Sequence, residues 1–187
     1  MPNLVLEQAD LYGRGSTVSE ILKPLTGKDR PAFQFKKQAN AIVIGIHDGS
    51  PPASHYRDWR FSTKVHHLAA MYYEVWPPVS GSGAHYYLAK AYLHIYRARR
   101  PGDESEILAL HCDPSEEPGA ERPELVHYKR APHLHIRVAE HPIPNAHLCM
   151  VAGDIELLLR TPSSLTDGFA RCVEMIAEEV LQRYAAL

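Results

Sequence analysis

Several familiar signals are missing from this chain. None of its apolar runs approaches 18 residues, so no membrane-spanning helix is expected. The opening MPNLVLEQAD has no basic stretch followed by an apolar run, so no secretory signal is expected either. There are only three cysteines, Cys112, Cys149 and Cys172, far apart and without a CxxC pair. That argues against a disulfide framework or a cysteine zinc site and fits a reducing, cytoplasmic setting. No repeat of 20–50 residues is visible, and no G-x-S-x-G marks a serine nucleophile. Charge of one sign is lacking too: the formal net charge is −2, so no global field draws nucleic acid or an anionic membrane.

What is present is ordinary globular composition, 45% hydrophobic and 22% charged over 187 residues, together with twelve histidines. That length reads as a single domain, 1–187, able to bury a core without staples. Below about pH 6 the histidines would swing the charge positive, because free imidazole titrates near 6.5. Nucleic acid is therefore disfavoured by net charge but would be met by a local basic patch.

The alternation of apolar and polar residues predicts an α+β fold: a largely antiparallel sheet of five or more strands, with a C-terminal helix packed on one face. Expected strands are 4–6, a short one around Phe33 and Phe35, 41–47 (buried on both faces), 70–76, 86–97, 106–112, 133–138 and 146–151, with a last one over 155–160. The run Gly13-Arg14-Gly15-Ser16-Thr17 reads as a loop capping a short helix that carries Val18, Ile21 and Leu22. Phe169, Cys172, Val173, Ile176, Val180, Leu181 and Tyr184 recur at helical spacing, with Ser164 and Asp167 as a capping pair.

If that helix covers the apolar sheet face, the opposite face gathers Tyr92, His94, Tyr96, His111, His133, His135, Arg137 and His147 from four strands. A turn at Pro101-Gly102 would bring His94 near residues 109–111, making His94 and His111 neighbours. Two chemistries suit such a face. His-x-His sets two imidazoles about 6–7 Å apart along one strand face, so His133, His135 and His147 are candidate ligands for a divalent metal such as zinc or iron, with Glu140 or His111 as further donors. Alternatively His133 and His135 share acid–base duty, with His111 a further catalytic candidate, and Arg137, or Lys129 or Arg130, holds an anion, as metal-free cleavage of RNA or another phosphodiester would need.

Two resemblances bear on these readings. His133-Leu134-His135 followed by Glu140 resembles the first metal-binding motif of cupins over eight residues; no glycine stands six positions before His133, and His141-Pro142-Ile143-Pro144 interrupts the strand, so the chain is not assigned to that family. The order of a hairpin, an acidic residue and basic residues before Pro132-His133-Leu134-His135 resembles small histidine-rich toxins of bacterial toxin–antitoxin pairs, which implies RNA cleavage. A third reading is non-enzymatic, with the Tyr/His face packed against a second copy as a homo-oligomer.

Overall fold

The computed structural model describes residues 4–27, 33–48, 54–98, 104–115, 129–136, 146–151 and 153–185. Among these residues there are ten strands: β1 (Val5–Glu7), β2 (Phe33–Gln38), β3 (Ala41–Ile46), β4 (Phe61–Ser62), β5 (Leu68–Trp76), β6 (His85–Tyr87), β7 (Lys90–Ala98), β8 (Glu104–Cys112), β9 (His133–Ile136) and β10 (Ala146–Cys149). Eight of them form one antiparallel sheet in the order β10-β9-β8-β7-β5-β3-β2, with β4 pairing β5 beside β3. β1 and β6 make a separate two-stranded ribbon. The helices are α1 (Gln8–Leu22), α2 (Ile155–Leu158) and α3 (Pro162–Met175), which continues through a π-type turn (Ile176–Leu181) into α4 (Gln182–Ala185). The expected α+β architecture is what the chain adopts, and no described helix is long and apolar enough to cross a membrane.

Strand alternation decides which face meets the helices. Along β5, Leu68, Ala70, Tyr72 and Trp76 join the main core, while Met71 and Tyr73 belong to a second apolar cluster with Val43 and Trp59. Leu93 and Ile95 of β7 and Leu108, Leu110 and Cys112 of β8 extend the main core. The C-terminal helix covers it with Leu165, Phe169, Cys172, Val173 and Ile176, and Phe169 lies edge-on to Tyr72 at 5.8 Å. Each such buried side chain contributes about 1.5–3 kcal/mol relative to exposure.

Helix α1 and the sheet are tied by a charged pair inside this core. Glu74 is fully buried on β5 and accepts from Arg14 Nε (3.0 and 3.2 Å) and a terminal nitrogen (2.8 Å), from the Tyr72 hydroxyl (2.7 Å) and from the Trp76 indole (2.9 Å). Arg14 also donates to Thr166 Oγ1 of α3 at 2.8 Å. Burial alone would lower the guanidinium pKa, but the charge and hydrogen bonds of Glu74 more than offset it and the pKa rises. Burial, then the Glu74 charge, pushes the Tyr72 hydroxyl well up.

Four expectations are corrected. The glycine run at 13–17 is not a loop: it lies inside α1, whose buried residues Leu11, Gly15, Val18 and Leu22 follow helical spacing. Gly15 is there because a Cβ would stand 2.9 Å from the Phe33 ring, and that close packing outweighs the roughly 1 kcal/mol that glycine costs a helix. The strand expected over 86–97 is broken at Leu88 and Ala89, so Tyr86 and Leu88 turn into the core rather than onto the histidine face. Residues 155–158 form a helix, not a strand. Ile155 and Leu159 are buried one turn apart, Leu157 is exposed, and Asp154 accepts from the Glu156 N–H as N-cap. The cap of α3 is Thr161 paired with Ser164, one turn before the Ser164–Asp167 pair expected.

Candidate metal centre

The face away from the helices carries the histidines, and the strand register puts them together. Tyr92 pairs with His111 and His94 with Ala109 across β7 and β8; His111 pairs with His133 and Ala109 with His135 across β8 and β9. Residues opposite each other, or two apart on neighbouring strands, share a face. The Tyr92 and His111 rings lie face to face, 3.8 Å between centroids and 8° from parallel. His111 and His135 rings are 4.0 Å apart, and those of His133 and His135 4.9 Å.

One ligand nitrogen from each of His111, His133 and His135 lies within 4.8 Å of the others. His133 is only 1% exposed, and the other two are half-buried. Its Nδ1 is 2.9 Å from the Ala131 carbonyl, which can only accept, so Nδ1 carries the hydrogen. In the neutral ring that leaves the lone pair on Nε2.

A second chain of polar groups leads away from His111. Its Nε2 is 3.3 Å from His94 Nε2, and His94 Nδ1 is 2.6 Å from Glu106 Oε2. Beside it the Tyr92 hydroxyl donates to Asp113 Oδ1 at 2.6 Å. The segment before β9 is stitched to the end of β8: the Asp113 N–H donates to the Lys129 carbonyl and Cys112 Sγ to that of Arg130. These bonds fix where β9 begins and hold His133 against His111.

Glu106 reaches this face through an irregularity. The register shifts by one between Ile95 and Tyr96, which pair with Leu108 and Glu106, so β8 carries one extra residue at Ile107. A bulge reverses the alternation beyond it. Glu106 would otherwise face the core with Leu108 and Leu110.

Of the residues singled out from sequence, His111, His133 and His135 converge, with His94 in contact with His111. His147 is the cross-strand partner of His135 through the backbone, and its side chain is outside the described part of the molecule. Arg137 and Glu140 lie outside the described residues altogether. Sequence reasoning gave no role to Glu106 or Asp113. Asp113 had a signal, as the first polar residue after a strand whose other end was already assigned.

The tyrosines are not open stacking platforms. Tyr92 is covered by His111, and its other neighbours include Tyr73 at 5.6 Å; Tyr73 in turn meets Tyr56 at 4.9 Å, and Arg60 packs over Tyr96 at 4.5 Å. No family model, curated protein or solved structure matches this chain.

Proposed function

We propose that His111, His133 and His135 hold one divalent metal ion, zinc or iron, in a centre of the catalytic type. The observation that carries this is their convergence: three imidazoles from two adjacent strands, each offering a nitrogen within 4.8 Å of the rest. Three protein nitrogens with an open fourth position is the donor set of catalytic zinc. Bound nitrogens around a tetrahedral ion at about 2.0–2.1 Å stand roughly 3.4 Å apart, so nitrogens lying within 4.8 Å of one another need to close by at most about 1.4 Å.

The surroundings suit this role. The Ala131 carbonyl holds His133 with Nε2 as its donor atom. Glu106 accepts from His94 Nδ1–H; the neutral His94 ring then accepts at Nε2 from His111 Nε2–H, leaving Nδ1 of His111 as the donor atom. Carbonyls and carboxylates behind ligating imidazoles orient them and fix their tautomers. The ion would supply Lewis-acid chemistry and lower the pKa of the water it binds. The protein's part is to orient the three rings and to keep Tyr92 and Asp113 beside them.

Calorimetric titration with zinc tests the proposal. Wild-type chain binds one ion, and His111→Ala, His133→Ala and His135→Ala each weaken binding at least tenfold. Wild-type affinity retained in all three variants would remove it.

A second reading is metal-independent acid–base catalysis, favoured by the Glu106–His94–His111 chain, in which a carboxylate orients one imidazole against another. Phosphodiester cleavage that persists in EDTA and is lost in His94→Gln would support it; absence of any turnover in EDTA across pH 5–8 would exclude it.

A further inference from the structure

The two-stranded ribbon of β1 and β6 brings a carboxylate and an imidazole together beside a serine. Glu7 and His85 are cross-strand partners in its register, and His85 Nε2 lies 3.9 Å from Glu7 Oε1. On the other side of the ring, His85 Nδ1 lies 2.7 Å from Ser82 Oγ. Backbone bonds hold these residues in place. Gln8 N–H donates to the Ala84 carbonyl at 2.9 Å, and Val79 N–H to that of His85 at 2.8 Å. Ser82 N–H donates to the Val79 carbonyl at 3.0 Å, closing a turn whose third residue, Gly81, has φ +77°. The third place of a type II turn needs that left-handed backbone, which glycine adopts without steric cost.

The carboxylate decides which tautomer the imidazole takes. Glu7 only accepts, so the neutral ring beside it carries its hydrogen on Nε2. The Nδ1 lone pair is then left to take the Ser82 hydroxyl hydrogen. Nucleophile, base and orienting carboxylate in that order are what activates a serine. A Ser82–His85 bond alone would be an ordinary side-chain cap of a turn. Two further observations set it apart: the carboxylate on the far nitrogen, and the room around the serine. A Cβ built on Gly81 or on Gly83 meets nothing within 4 Å, so the backbone on both sides of Ser82 is open to an incoming acyl group. No local motif announces the arrangement, because Glu7 arrives from β1.

We infer that Ser82 is the nucleophile of a separate surface site that hydrolyses small activated carboxylic esters, with His85 as its base and Glu7 as a positioning residue. Ser82 Oγ bonds the acyl carbon as its proton passes to His85 Nδ1. The ester C–O bond breaks, and the leaving alcohol takes that proton. Water, giving a proton to the same nitrogen, then cleaves the acyl-serine, and the proton returns to Ser82 Oγ as the carboxylic acid departs. The His85 and Glu7 side chains are 47% and 66% exposed, so solvent screens the Glu7 charge and the site suits esters with good leaving groups. None of these residues belongs to the histidine centre.

Diisopropyl fluorophosphate tests the nucleophile in full-length chain: Oγ bonds phosphorus, fluoride leaves, and the adduct persists. Peptide mass analysis should find it on Ser82. His85→Gln should slow labelling about tenfold or more. Glu7→Gln should slow it about threefold, and Glu7→Asp less, because a carboxylate remains. All three exposed-site variants should unfold at the wild-type temperature. Wild type should also hydrolyse p-nitrophenyl acetate about threefold faster than Ser82→Ala, the other histidines supplying a shared background. An unlabelled Ser82 would overturn the inference. So would labelling as fast in folded His85→Gln or Glu7→Gln as in wild type, or equal ester hydrolysis by wild type and Ser82→Ala.

Discussion

Glu106 Oε2 lies 2.6 Å from His94 Nδ1, although Glu106 shares strict strand alternation with Leu108 and Leu110, both buried in the core. The extra residue Ile107 accounts for this by reversing the alternation between Glu106 and Leu108. The bulge thus brings a carboxylate behind the imidazole that touches His111.

Glu106→Gln keeps the shape but gives up the charge of this bond. A loss of about 1 kcal/mol is expected, below the usual range for hydrogen bonds to charged groups because the pair is partly solvated. Urea unfolding at pH 7 measures it; a midpoint identical to wild type would show that the pair contributes nothing to stability.

The Arg14–Glu74 pair predicts a larger effect. Arg14→Met leaves Glu74 as a buried charge with only the Tyr72 and Trp76 donors, and should cost about 3–5 kcal/mol. Arg14→Met/Glu74→Gln removes that charge while keeping an acceptor, and should recover part of the loss. Urea titrations of both variants check this; a double variant as unstable as the single one would contradict it.

Gly45 is pinned by two neighbours. A Cβ there would stand 2.5 Å from the Tyr72 carbonyl oxygen and 2.7 Å from the Trp59 ring. Gly45→Ala should cost about 1–3 kcal/mol, as overpacking does, and displace Trp59. Thermal unfolding together with tryptophan fluorescence reads both. Unchanged stability would mean that the strands part at no cost.

Thiol chemistry follows from burial. Burial, then the neighbouring Asp113 charge, pushes the Cys112 thiol well up, and burial with a contribution from Cys149 pushes Cys172 up to about 11. A raised pKa means the reactive thiolate appears only at higher pH. At pH 8 about one Cys172 in a thousand is ionised. Iodoacetamide at pH 8 should therefore spare Cys112 and Cys172 in the folded chain and label them in urea, as peptide mass analysis would show. Rapid labelling of either in the native state would contradict the packing.

Period-two alternation made much of this face legible beforehand. It set Leu93 and Ile95 against Tyr92 and His94, and Leu108 and Leu110 against His111, and the hairpin then placed His94 beside His111. It had no means of seeing the bulge at Ile107, so Glu106 was missed. The same rule failed at Leu88 and Ala89, where the chain leaves one sheet for another and the parity restarts. At residues 155–159 alternating Ile155, Leu157 and Leu159 imitated a strand, while the one-turn spacing of Ile155 and Leu159 and the Asp154 cap settled the helix. Glu74 carried a visible signal, an acid within the apolar run LAAMYYEVW, but its partner Arg14 is 60 residues away on another element.

The most direct test of the metal centre is the zinc content of purified chain after exposure to zinc and exhaustive dialysis at pH 7.5. Close to one ion per chain is predicted for wild type, with the ion lost from His111→Ala as completely as from His133→Ala, because His111 is the donor from the neighbouring strand. A wild-type chain without zinc, or a folded His111→Ala chain that keeps its full complement, would contradict the account.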